Sequence, residues 1–435
     1  MPKKKTALTI EERLQQALVP AEEQPYEVPE NWVWVRLIGN VNSCLDGYRK
    51  PINSSERAKR VGKVPYYGAT GQVGWIDDYL TNEHLVLLGE DGAPFLDLLK
   101  DKAYIIFGEA WVNNHAHILK SYFGEIGNVF LMHYLNMVDY KDYVKGTTRL
   151  KLTQGSMQLM PFPLPPLSEQ QRIVERIEEL FAKLDEAKER LQEVVDSFAV
   201  RKAAILHKAF TGELTKQWRR ENGVSDESWE EKKLGEVVLL LSGQDFPPTK
   251  YNSDDNGIPY ITGASNFDNS HVVINRWTDE PSVIAQENDV LLVCKGSGYG
   301  KTIIADFKEA HIARQIMALR VKKMINNYWL LYYLRNNNKF IKEQGQGLIP
   351  GLSRKVILSL LINLPSLPEQ HEIVRLIDDL LERERSAQQA AEQALASIDL
   401  MKKSILARAF RGELGTNKAS EASAVELLKQ VLAEN

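Results

Sequence analysis

The sequence lacks the features of disulfide-rich, membrane-spanning or secreted proteins. It contains two cysteines, Cys44 and Cys294, and neither has a second cysteine nearby, so neither a CxxC metal site nor a disulfide framework is indicated. The longest apolar runs, such as Val290–Cys294 and Ile357–Leu361, fall far short of the roughly 20 residues that cross a bilayer. The first 20 residues lack the apolar core and cleavage site of a secretory signal. We therefore expect a cytoplasmic protein with no membrane segment.

An excess of positive charge is also absent, since the formal net charge is −4. This balance argues against nucleic-acid binding, because contact with phosphate requires lysine and arginine. The charges are unevenly distributed, however. Acidic residues are concentrated between residues 169 and 193, whereas cations cluster between residues 49 and 63. Such a cluster fits a solvated face as well as a phosphate-binding one.

The chain is an internal duplication. It has 435 residues, of which 43% are hydrophobic, enough for two or three cores. The segment PPLSEQQRIV at 165–174 is answered by PSLPEQHEIV at 365–374, and AILHKAFTGEL at 204–214 by SILARAFRGEL at 404–414. Both pairs have the same spacing without a gap, which indicates a true repeat.

The residues between these motifs predict two long helices that pair with each other. Apolar residues follow steps of three and four at Ile177, Leu180, Leu184, Ala187, Leu191, Val194 and Phe198, and again at Ile377, Leu380, Ala387, Ala391, Ala394 and Ile398. The small alanines of the second helix can accept large side chains of the first. Gly212 and Gly412 stand where each helix should stop. The pattern alone is equally compatible with a coiled coil that dimerises between chains.

The segment before each helix, called here the first head (residues 25–164) and the second head (216–364), is predicted to be α+β. Residues 112–120 align with 312–320, and the polar residues in the middle differ between the copies. Two active enzyme copies should repeat their catalytic residues, whereas two readers of different sequences should repeat only the scaffold. The pattern therefore favours recognition over catalysis.

The two helix starts and the two Ala-Phe-x-Gly-Glu-Leu helix ends resemble the specificity subunit of Type I restriction-modification enzymes. The resemblance covers essentially the whole chain. It implies two α/β target recognition domains alternating with two long helices that pair as an antiparallel coiled coil, with a pseudo two-fold internal repeat. The implied boundaries are an N-terminal helical segment at 1–24, recognition domains at 25–164 and 216–364, helices at 165–215 and 365–415, and a C-terminal helical tail at 416–435.

The resemblance also implies function and partners. The chain would be a non-catalytic subunit without a cofactor of its own. It would bind a bipartite site in double-stranded DNA, one half per head, and dock two methyltransferase subunits and, through the complex, ATP-dependent restriction subunits. Residues 12–19 weakly resemble 426–433. We predict that these two segments pack near each other or on the modification subunits, although frayed terminal helices are an equal alternative.

Candidate DNA contacts follow from chemistry and position rather than from the resemblance. Cations and hydroxyls in loops suit phosphate, while Asn, Gln and Arg suit base edges. In the first head the candidates are Arg49, Lys50, Lys59, Arg60, Lys63, Tyr67, Asn113, Asn114, His115, Lys145, Thr147, Thr148, Arg149 and Lys151. In the second head they are Lys250, Lys295, Ser297, Tyr299, Lys301, Arg314, Gln315, Gln346, Ser353, Arg354 and Lys355.

Three other interpretations are weaker. Residues 295–302 end like a Walker phosphate loop, but the first required glycine is Lys295, and the residues after Thr302 favour a strand instead of a helix. His115 and His117 could bind a metal, yet no third ligand is evident, and no metal site is predicted. A rival of another class is a coiled-coil scaffold whose heads bind proteins.

Overall fold

The computed structural model describes residues 9–268, 271–296, 298–343 and 351–434. The chain divides into two compact units, one formed by Met1–Gln192 with Glu392–Asn435 and the other by Glu193–Ala391. Each unit therefore contains one head together with part of each long helix.

The first head contains two four-stranded sheets and three helices, preceded by a short terminal helix. The helices are α1 (Ile10–Ala17), α2 (Ser54–Arg57), α3 (Gly124–Met137) and α4 (Gln154–Leu159). The strands are β1 (Val33–Arg36), β2 (Asn42–Cys44), β3 (Val64–Gly68), β4 (Gly71–Ile76), β5 (Thr81–Asn82), β6 (Leu85–Gly89), β7 (Ala103–Ile106), β8 (Glu109–Val112), β9 (Ala116–Ser121), β10 (Val144–Lys145), β11 (Lys151–Leu152) and β12 (Pro161–Leu164).

The order of strands in these sheets is β2-β9-β6-β7 and β4-β3-β8-β5. Every residue of β6 is buried, as expected of a central strand made of the apolar run Leu85–Gly89. Strands β3 and β8 run parallel, and all other pairs are antiparallel. A ladder between β1 and β12 joins the beginning of the head to its end.

The long helix α5 (Leu167–Phe210) follows, and the second head then repeats the plan. Its helices are α6 (Lys216–Glu221), α7 (Leu234–Val237), α8 (Asn327–Asn336), α9 (Asn338–Glu343) and α10 (Arg354–Leu358). Its strands are β13 (Glu230–Lys233), β14 (Val238–Ser242), β15 (Ile258–Ile261), β16 (Phe267–Asp268), β17 (His271–Val272), β18 (Trp277–Thr278), β19 (Ile284–Gln286), β20 (Val290–Val293), β21 (Thr302–Ile304), β22 (Glu309–Ile312), β23 (Ile316–Val321) and β24 (Leu361–Leu364). The second long helix α11 (Leu367–Ala409) and the terminal helix α12 (Ala424–Glu434) complete the chain.

The two four-stranded sheets of the second head match those of the first in topology, whereas the β10-β11 pair of the first head and the β16-β17 pair of the second differ. Its sheets have the orders β14-β23-β20-β21 and β18-β15-β22-β19. The one parallel pair, β15 with β22, corresponds to β3 with β8, and the ladder β13-β24 corresponds to β1-β12. The duplication seen in the sequence is thus a duplication of fold, and the expected alternation of mixed α/β heads with long helices is confirmed.

Helices α5 and α11 pair in antiparallel fashion within each unit. In the first unit Lys402 Nζ lies 2.6 Å from Asp185 Oδ1, and Lys188 Nζ lies 3.2 Å from Asp399 Oδ1. In the second unit Arg201 Nε lies 2.9 Å from Glu384 Oε2. Residue numbers that rise along one helix fall along the other. The pairing within one chain, rather than between chains, is confirmed.

Two positions of the predicted seam are wrong. Val194 is exposed, and Val195 is turned inward instead, while Ala387 is exposed beside the half-buried Gln388. A helix turns about 100° per residue, so a step of four from Leu191 to Val195 stays closer to the buried face than a step of three. The predicted stops are correct, because Gly212 and Gly412 have φ angles of +77° and +74° just beyond the helix ends.

Each long helix begins with a fully buried glutamate that is tied to the segment following the other helix. In the first unit, Glu169 accepts hydrogen bonds from Trp32 Nε1 and from Asn417 Nδ2, both at 2.8 Å. In the second unit, Glu369 accepts from Thr215 and pairs with Arg219, both at 2.7 Å. These contacts hold each head against its helices.

The terminal helices α1 and α12 pack against each other within the first unit, where Leu428 and Leu432 join the same core as Ala17. The prediction that the two segments lie together is confirmed. Among the residues that the structure describes, no helix is long and apolar enough to cross a membrane.

Candidate DNA interface

One end of each head is built from three chain segments joined by main-chain hydrogen bonds. We call it the loop end. In the first head it comprises residues 89–92, 113–115 and 149–152. Glu90 N donates to His115 O, and Leu152 N donates to Glu90 O, both at 2.8 Å. Asn113 N donates to Tyr67 O at 3.1 Å, which adds the end of β3 from the second sheet.

The loop end of the second head, residues 293–296, 313–315 and 351–353, has the same frame. Cys294 N donates to Gln315 O at 2.8 Å, and Leu352 N donates to Cys294 O at 3.0 Å. Ala313 N donates to Ile261 O at 2.9 Å. The isolated bridges Asp91–Lys151 and Lys295–Gly351 also correspond. The main-chain hydrogen bonds of the first loop end are therefore repeated in the second, although the residues differ.

The side chains on this shared frame differ at almost every position. The turn between β8 and β9 carries Asn113, Asn114 and His115, and the turn between β22 and β23 carries Ala313, Arg314 and Gln315. Asp91 of the first head corresponds to Lys295 of the second. Two equal frames with different polar groups can present two different hydrogen-bonding patterns to a ligand.

A buried ion cluster lies beneath the loop end of the first head. Asp46 Oδ2 is 2.6 Å from His117 Nδ1 and 2.9 Å from an Arg49 nitrogen. Arg49 also pairs closely with Glu90, which is bound by Lys151 Nζ at 2.8 Å. The side chains of His117, Glu90 and Asp46 are only 2%, 10% and 13% exposed. The cluster therefore links β9 with the loops that follow β2 and β6.

Both carboxyl groups of this cluster are held in the charged form. Burial alone would raise the pKa of Asp46, but its bond to His117, the His117 charge, the Ile118 N–H and Arg49 outweigh burial and lower that pKa. Burial would likewise raise the pKa of Glu90, and the bonds from Lys151 and Arg49 bring it below its usual value. The predicted cations Arg49 and Lys151 thus neutralise carboxylates of the head itself.

The second head has a different interior at the same place. The positions of Asp46, Glu90 and His117 are taken by Ser242, Cys294 and Met317, according to the equivalent strand registers. Cys294 and Met317 are buried in the main core of this head. Burial raises the pKa of the Cys294 thiol, as expected in apolar surroundings.

The structure brings most predicted contacts of the first head to its loop end. Tyr67, Asn113, Asn114 and His115 lie at the turn, and Lys145, Thr147, Thr148, Arg149 and Lys151 lie on the adjacent β10-β11 hairpin. Asn114, Arg149 and all the other hairpin residues named are exposed. His115 Nδ1 lies 2.6 Å from Asp91 Oδ1 and 3.3 Å from Arg149 Nη2.

The remaining cations of the first head lie on another part of it. Lys59 and Lys63 are exposed on the segment that leads into β3. Arg60 pairs with Asp77 at 2.7 Å, and its guanidinium covers the Trp111 ring. Lys50 is exposed, and its carbonyl accepts a bond from Trp111 Nε1 at 2.8 Å.

In the second head, Lys295, Arg314, Gln315 and Ser353 lie at the loop end, and Arg354 and Lys355 begin α10 beside it. Ser353 is the N-cap of this helix, since its Oγ accepts from Val356 N at 3.3 Å. Tyr299 donates to Lys342 O at 3.2 Å, Lys301 is exposed, and Lys250 pairs with Glu280 at 2.6 Å. Ser297 and Gln346 lie outside the described residues.

Sequence reasoning missed the acidic partners of the arginines. Asp91 Oδ1 is 2.6 Å from Arg149 Nη2. Asp245 accepts a bond from Arg314 N at 3.0 Å and lies 3.1 Å from Arg314 Nε. DNA binding favours lysine and arginine, so a sequence prediction of DNA contacts leaves out the carboxylates that hold these cations. The Asp-Gly that follows β6 and the Asp-Phe-Pro-Pro that follows β14 are the available signals.

Strand β21 follows the glycine-rich segment after β20, as predicted, and the residues described there include no helix whose N-terminus could hold a phosphate. Among the described residues, one trio with metal-binding side chains has its ligand atoms within 4.8 Å of one another, namely Cys44, Asp46 and His117. The Nδ1 of His117 faces Asp46, its Nε2 faces Leu152 O at 3.0 Å, and Arg49 lies beside Asp46. This trio is part of the ion cluster.

Comparison with known proteins agrees with the duplicated fold. A family model described as the Type I restriction modification DNA specificity domain matches residues 29–196 and again 226–394. The Type I restriction enzyme EcoDI specificity subunit of Escherichia coli is 22% identical over 438 residues, covering 94% of this chain and 96% of the relative. The EcoKI specificity subunit of Escherichia coli K12 is 25% identical over 343 residues, covering 70% and 71%.

A solved structure has the same fold. The HsdS subunit from Thermoanaerobacter tengcongensis superposes with a TM-score of 0.65 at 22% sequence identity, covering 90% of this chain and all of that one. The family model covers most of the chain and matches it twice, once per head. The chain therefore belongs to the Type I restriction-modification DNA specificity family, as a non-catalytic specificity subunit with two recognition domains.

Proposed function

We propose that the loop end of each head is the surface that reads DNA, one half of a bipartite site per head. The recognition domains are then residues 25–164 and 216–364, joined by helices at 165–215 and 365–415. The observation that carries this proposal is the shared main-chain frame with different side chains. A frame held by main-chain bonds can carry different exposed side chains, such as Asn114 in one head and Gln315 in the other, and base edges require different side chains for different sequences.

The chemistry of the two loop ends supports this assignment. Exposed amides, hydroxyls and cations surround both turns, and these are the groups that contact bases and phosphates. Arg314 and Gln315 suit guanine and adenine, and Asn114 suits adenine. The candidate contacts are the residues of the two loop ends and the β10-β11 hairpin.

The partners follow from the family. The chain is the specificity subunit of a Type I complex, so its DNA specificity is delivered to methyltransferase and restriction subunits. We propose that two methyltransferase subunits dock on the chain, that restriction subunits join through the complex, and that the complex works in the cytoplasm. No catalytic group or cofactor is assigned to this chain.

The test exchanges the turns between the heads. Asn113 stays in place, because it is buried and its Oδ1 accepts from His115 N at 2.8 Å. The double variant Asn114→Arg, His115→Gln keeps the main-chain bonds and should carry the exposed side chains of the second turn. Base-resolved methylation is measured in cells that express the chain with its methyltransferase. We expect a split motif in which only one half changes, and the reciprocal double variant Arg314→Asn, Gln315→His should change only the other half.

Lys120→Ala is the matched control, because Lys120 is an ion-paired cation at the opposite end of β9 from the turn. It should leave the motif intact. If methylation occurs at a split motif that neither turn exchange alters, the assignment of the loop ends is wrong. If no motif depends on this chain, recognition itself is wrong, and a protein-binding scaffold replaces it.

A further inference from the structure

Arg149 is held in place by a neighbouring carboxylate at the loop end of the first head. Its Nη2 lies 2.6 Å from Asp91 Oδ1 and 3.3 Å from His115 Nδ1. The guanidinium also rests against Gly92, since a Cβ at that glycine would be 3.5 Å from Nη2. The Asp91 side chain is 17% exposed, whereas that of Arg149 is 59% exposed. The carboxylate is thus part of the head and the arginine projects from it.

Arg314 also has a carboxylate partner at the loop end of the second head, although this partner, Asp245, is 47% exposed and engages different atoms. Asp245 binds both the main-chain N–H of Arg314, at 3.0 Å, and its Nε, at 3.1 Å. The Arg314 side chain is 69% exposed. Because the carboxylate occupies Nε, both terminal nitrogens of the guanidinium stay available on the outer side.

These pairs leave a two-donor fork on each arginine. Asp245 engages Nε and leaves both terminal nitrogens of Arg314. Asp91 takes one of the two Nη2 hydrogens of Arg149, and His115 Nδ1, which donates to Asp91, does not accept the other. A guanidinium has five N–H donors, and one carboxylate oxygen engages only one or two of them. A planar fork with two free donors matches the two acceptors that guanine presents in the major groove, O6 and N7. A side chain already held in position also loses less conformational entropy when it binds.

An arginine that contacts only phosphate gains nothing from a neighbouring carboxylate. A carboxylate beside it weakens attraction to phosphate, because the pair carries no net charge. Lys145 and Lys355 are exposed cations near the same loop ends, and they suit the phosphate role. The two kinds of cation at each loop end therefore fit different parts of DNA.

We propose that Arg149 and Arg314 each read a guanine, one in each half-site, and that Asp91 and Asp245 are their positioning residues. This inference rests on the proposed function of the loop ends and adds the base that each head reads. The two arginines occupy non-equivalent places, one on the β10-β11 hairpin and one on the β22-β23 turn. The guanines therefore occupy different positions relative to the two frames.

The experiment uses the complete chain in complex with its methyltransferase subunits. Affinity is measured by fluorescence anisotropy for duplexes with the methylated motif and for duplexes in which each G·C pair is replaced in turn, at three salt concentrations. For Arg149→Ala, discrimination at one G·C pair of one half-site should fall by about 5- to 150-fold. The other half-site should be unchanged, and Arg314→Ala should give the reciprocal result.

Variants of the two positioning residues, Asp91 and Asp245, are expected to give a smaller loss of base discrimination. Asp91→Asn and Asp245→Asn should reduce discrimination at the same base pair as the corresponding arginine variant, and by less. Arg149→Lys should lose discrimination at that base pair as Arg149→Ala does, because an ammonium lacks the planar fork. Lys120→Ala should retain full discrimination. Retention of the methyltransferase subunits on size-exclusion chromatography checks folding.

Two outcomes would overturn the proposal. If an arginine contacts only phosphate, its loss would weaken binding to all duplexes equally. The slope of log affinity against log salt concentration would then fall by about one. An arginine change without effect on affinity or base preference would identify the pair as a surface ion pair only. Failure of the unmodified complex to prefer any split motif would instead contradict the proposed function.

Discussion

The two heads have the same main-chain frame at the loop end but different chemistry beneath it. The first head buries Asp46, Glu90 and His117 with Arg49, and the second has Ser242, Cys294 and Met317 at the equivalent places. The main-chain bonds above these residues agree to within about 0.2 Å, for example 2.8 Å for Glu90 N to His115 O and 2.8 Å for Cys294 N to Gln315 O. The frame therefore does not depend on the charges below it.

Some interactions build the fold of both heads, and others occur in one head only. Strand pairing and apolar burial are common to both heads. The ion cluster adds a local dependence on charge to the first head only, because a buried carboxylate that loses its partner is strongly destabilising. The two heads should therefore respond differently to the same kind of change.

The largest expected difference is between Asp46→Ala and Ser242→Ala. The first variant removes the shared acceptor of Arg49, His117 and the Ile118 N–H and leaves Glu90 as the remaining buried counter-charge. We expect a loss of about 3 kcal/mol from the stability of the first unit. The second variant removes an exposed hydroxyl and should change stability by less than about 0.5 kcal/mol. Hydrogen exchange of peptides from β6 and β20 reports the two units separately. Equal losses would contradict the comparison.

A smaller difference is expected at Trp32 and Trp229, which immediately precede the equivalent strands β1 and β13. Trp32 Nε1 donates to the buried Glu169, whereas Trp229 Nε1 has no partner among the residues that the structure describes. A bond to a charged acceptor contributes about 1.5–3 kcal/mol. Trp32→Phe should therefore destabilise the first unit by about that much more than Trp229→Phe destabilises the second, as measured by the same exchange experiment. A larger loss with Trp229→Phe would show that the second indole is bonded in solution.

The smallest difference is in the response to acid. Burial lowers the pKa of His311 in the second head, so its stability is complete above the ordinary histidine pKa of about 6.5 and falls as pH drops below it. In the first head the lowered pKa values of Asp46 and Glu90 give stability that is lost only below about pH 4. Between pH 7 and 5 the second head should open more readily, by at most about tenfold per pH unit from this residue.

His311→Gln is the control for this measurement, because the glutamine amide nitrogen reaches as far as His311 Nε2, which lies 2.8 Å from Gln244 O, and it does not titrate. The variant should flatten the response of the second head between pH 7 and 5. Hydrogen exchange corrected for the intrinsic effect of pH provides the readout. A first head that opens before the second would contradict the assignment.

The helices and the repeat could be predicted from the sequence, because they depend on periodic apolar residues and on motifs that occur twice. The seam was correct except near Val194 and Ala387, where steps of three and four are equally permitted by the pattern. The terminal helices were also placed together correctly. Their shared pattern, Leu14 with Leu428 and Leu18 with Leu432, reflects packing in one core.

The loop end could be located only in part. The turns at 113–115 and 313–315 were found because they interrupt an otherwise matching segment. The ion partners were not, since Asp46, Glu90 and His117 are separated by 27 to 71 residues and meet only through the register of β2, β6 and β9. Sequence separation of that size gives no indication of contact.

The main-chain frame at the loop end also bears on how a specificity subunit can acquire a new target. Three amide-to-carbonyl bonds join the segments of each loop end, and two of them bind the turn itself. One side-chain bond adds to them in each head, from His115 N to Asn113 and from Arg314 N to Asp245. Under the proposed function of the loop end, a codon change at an exposed turn position, such as 114 or 315, alters the base contact while these main-chain bonds remain. Successive neutral substitutions can then lead from one target sequence to another through proteins that all remain folded.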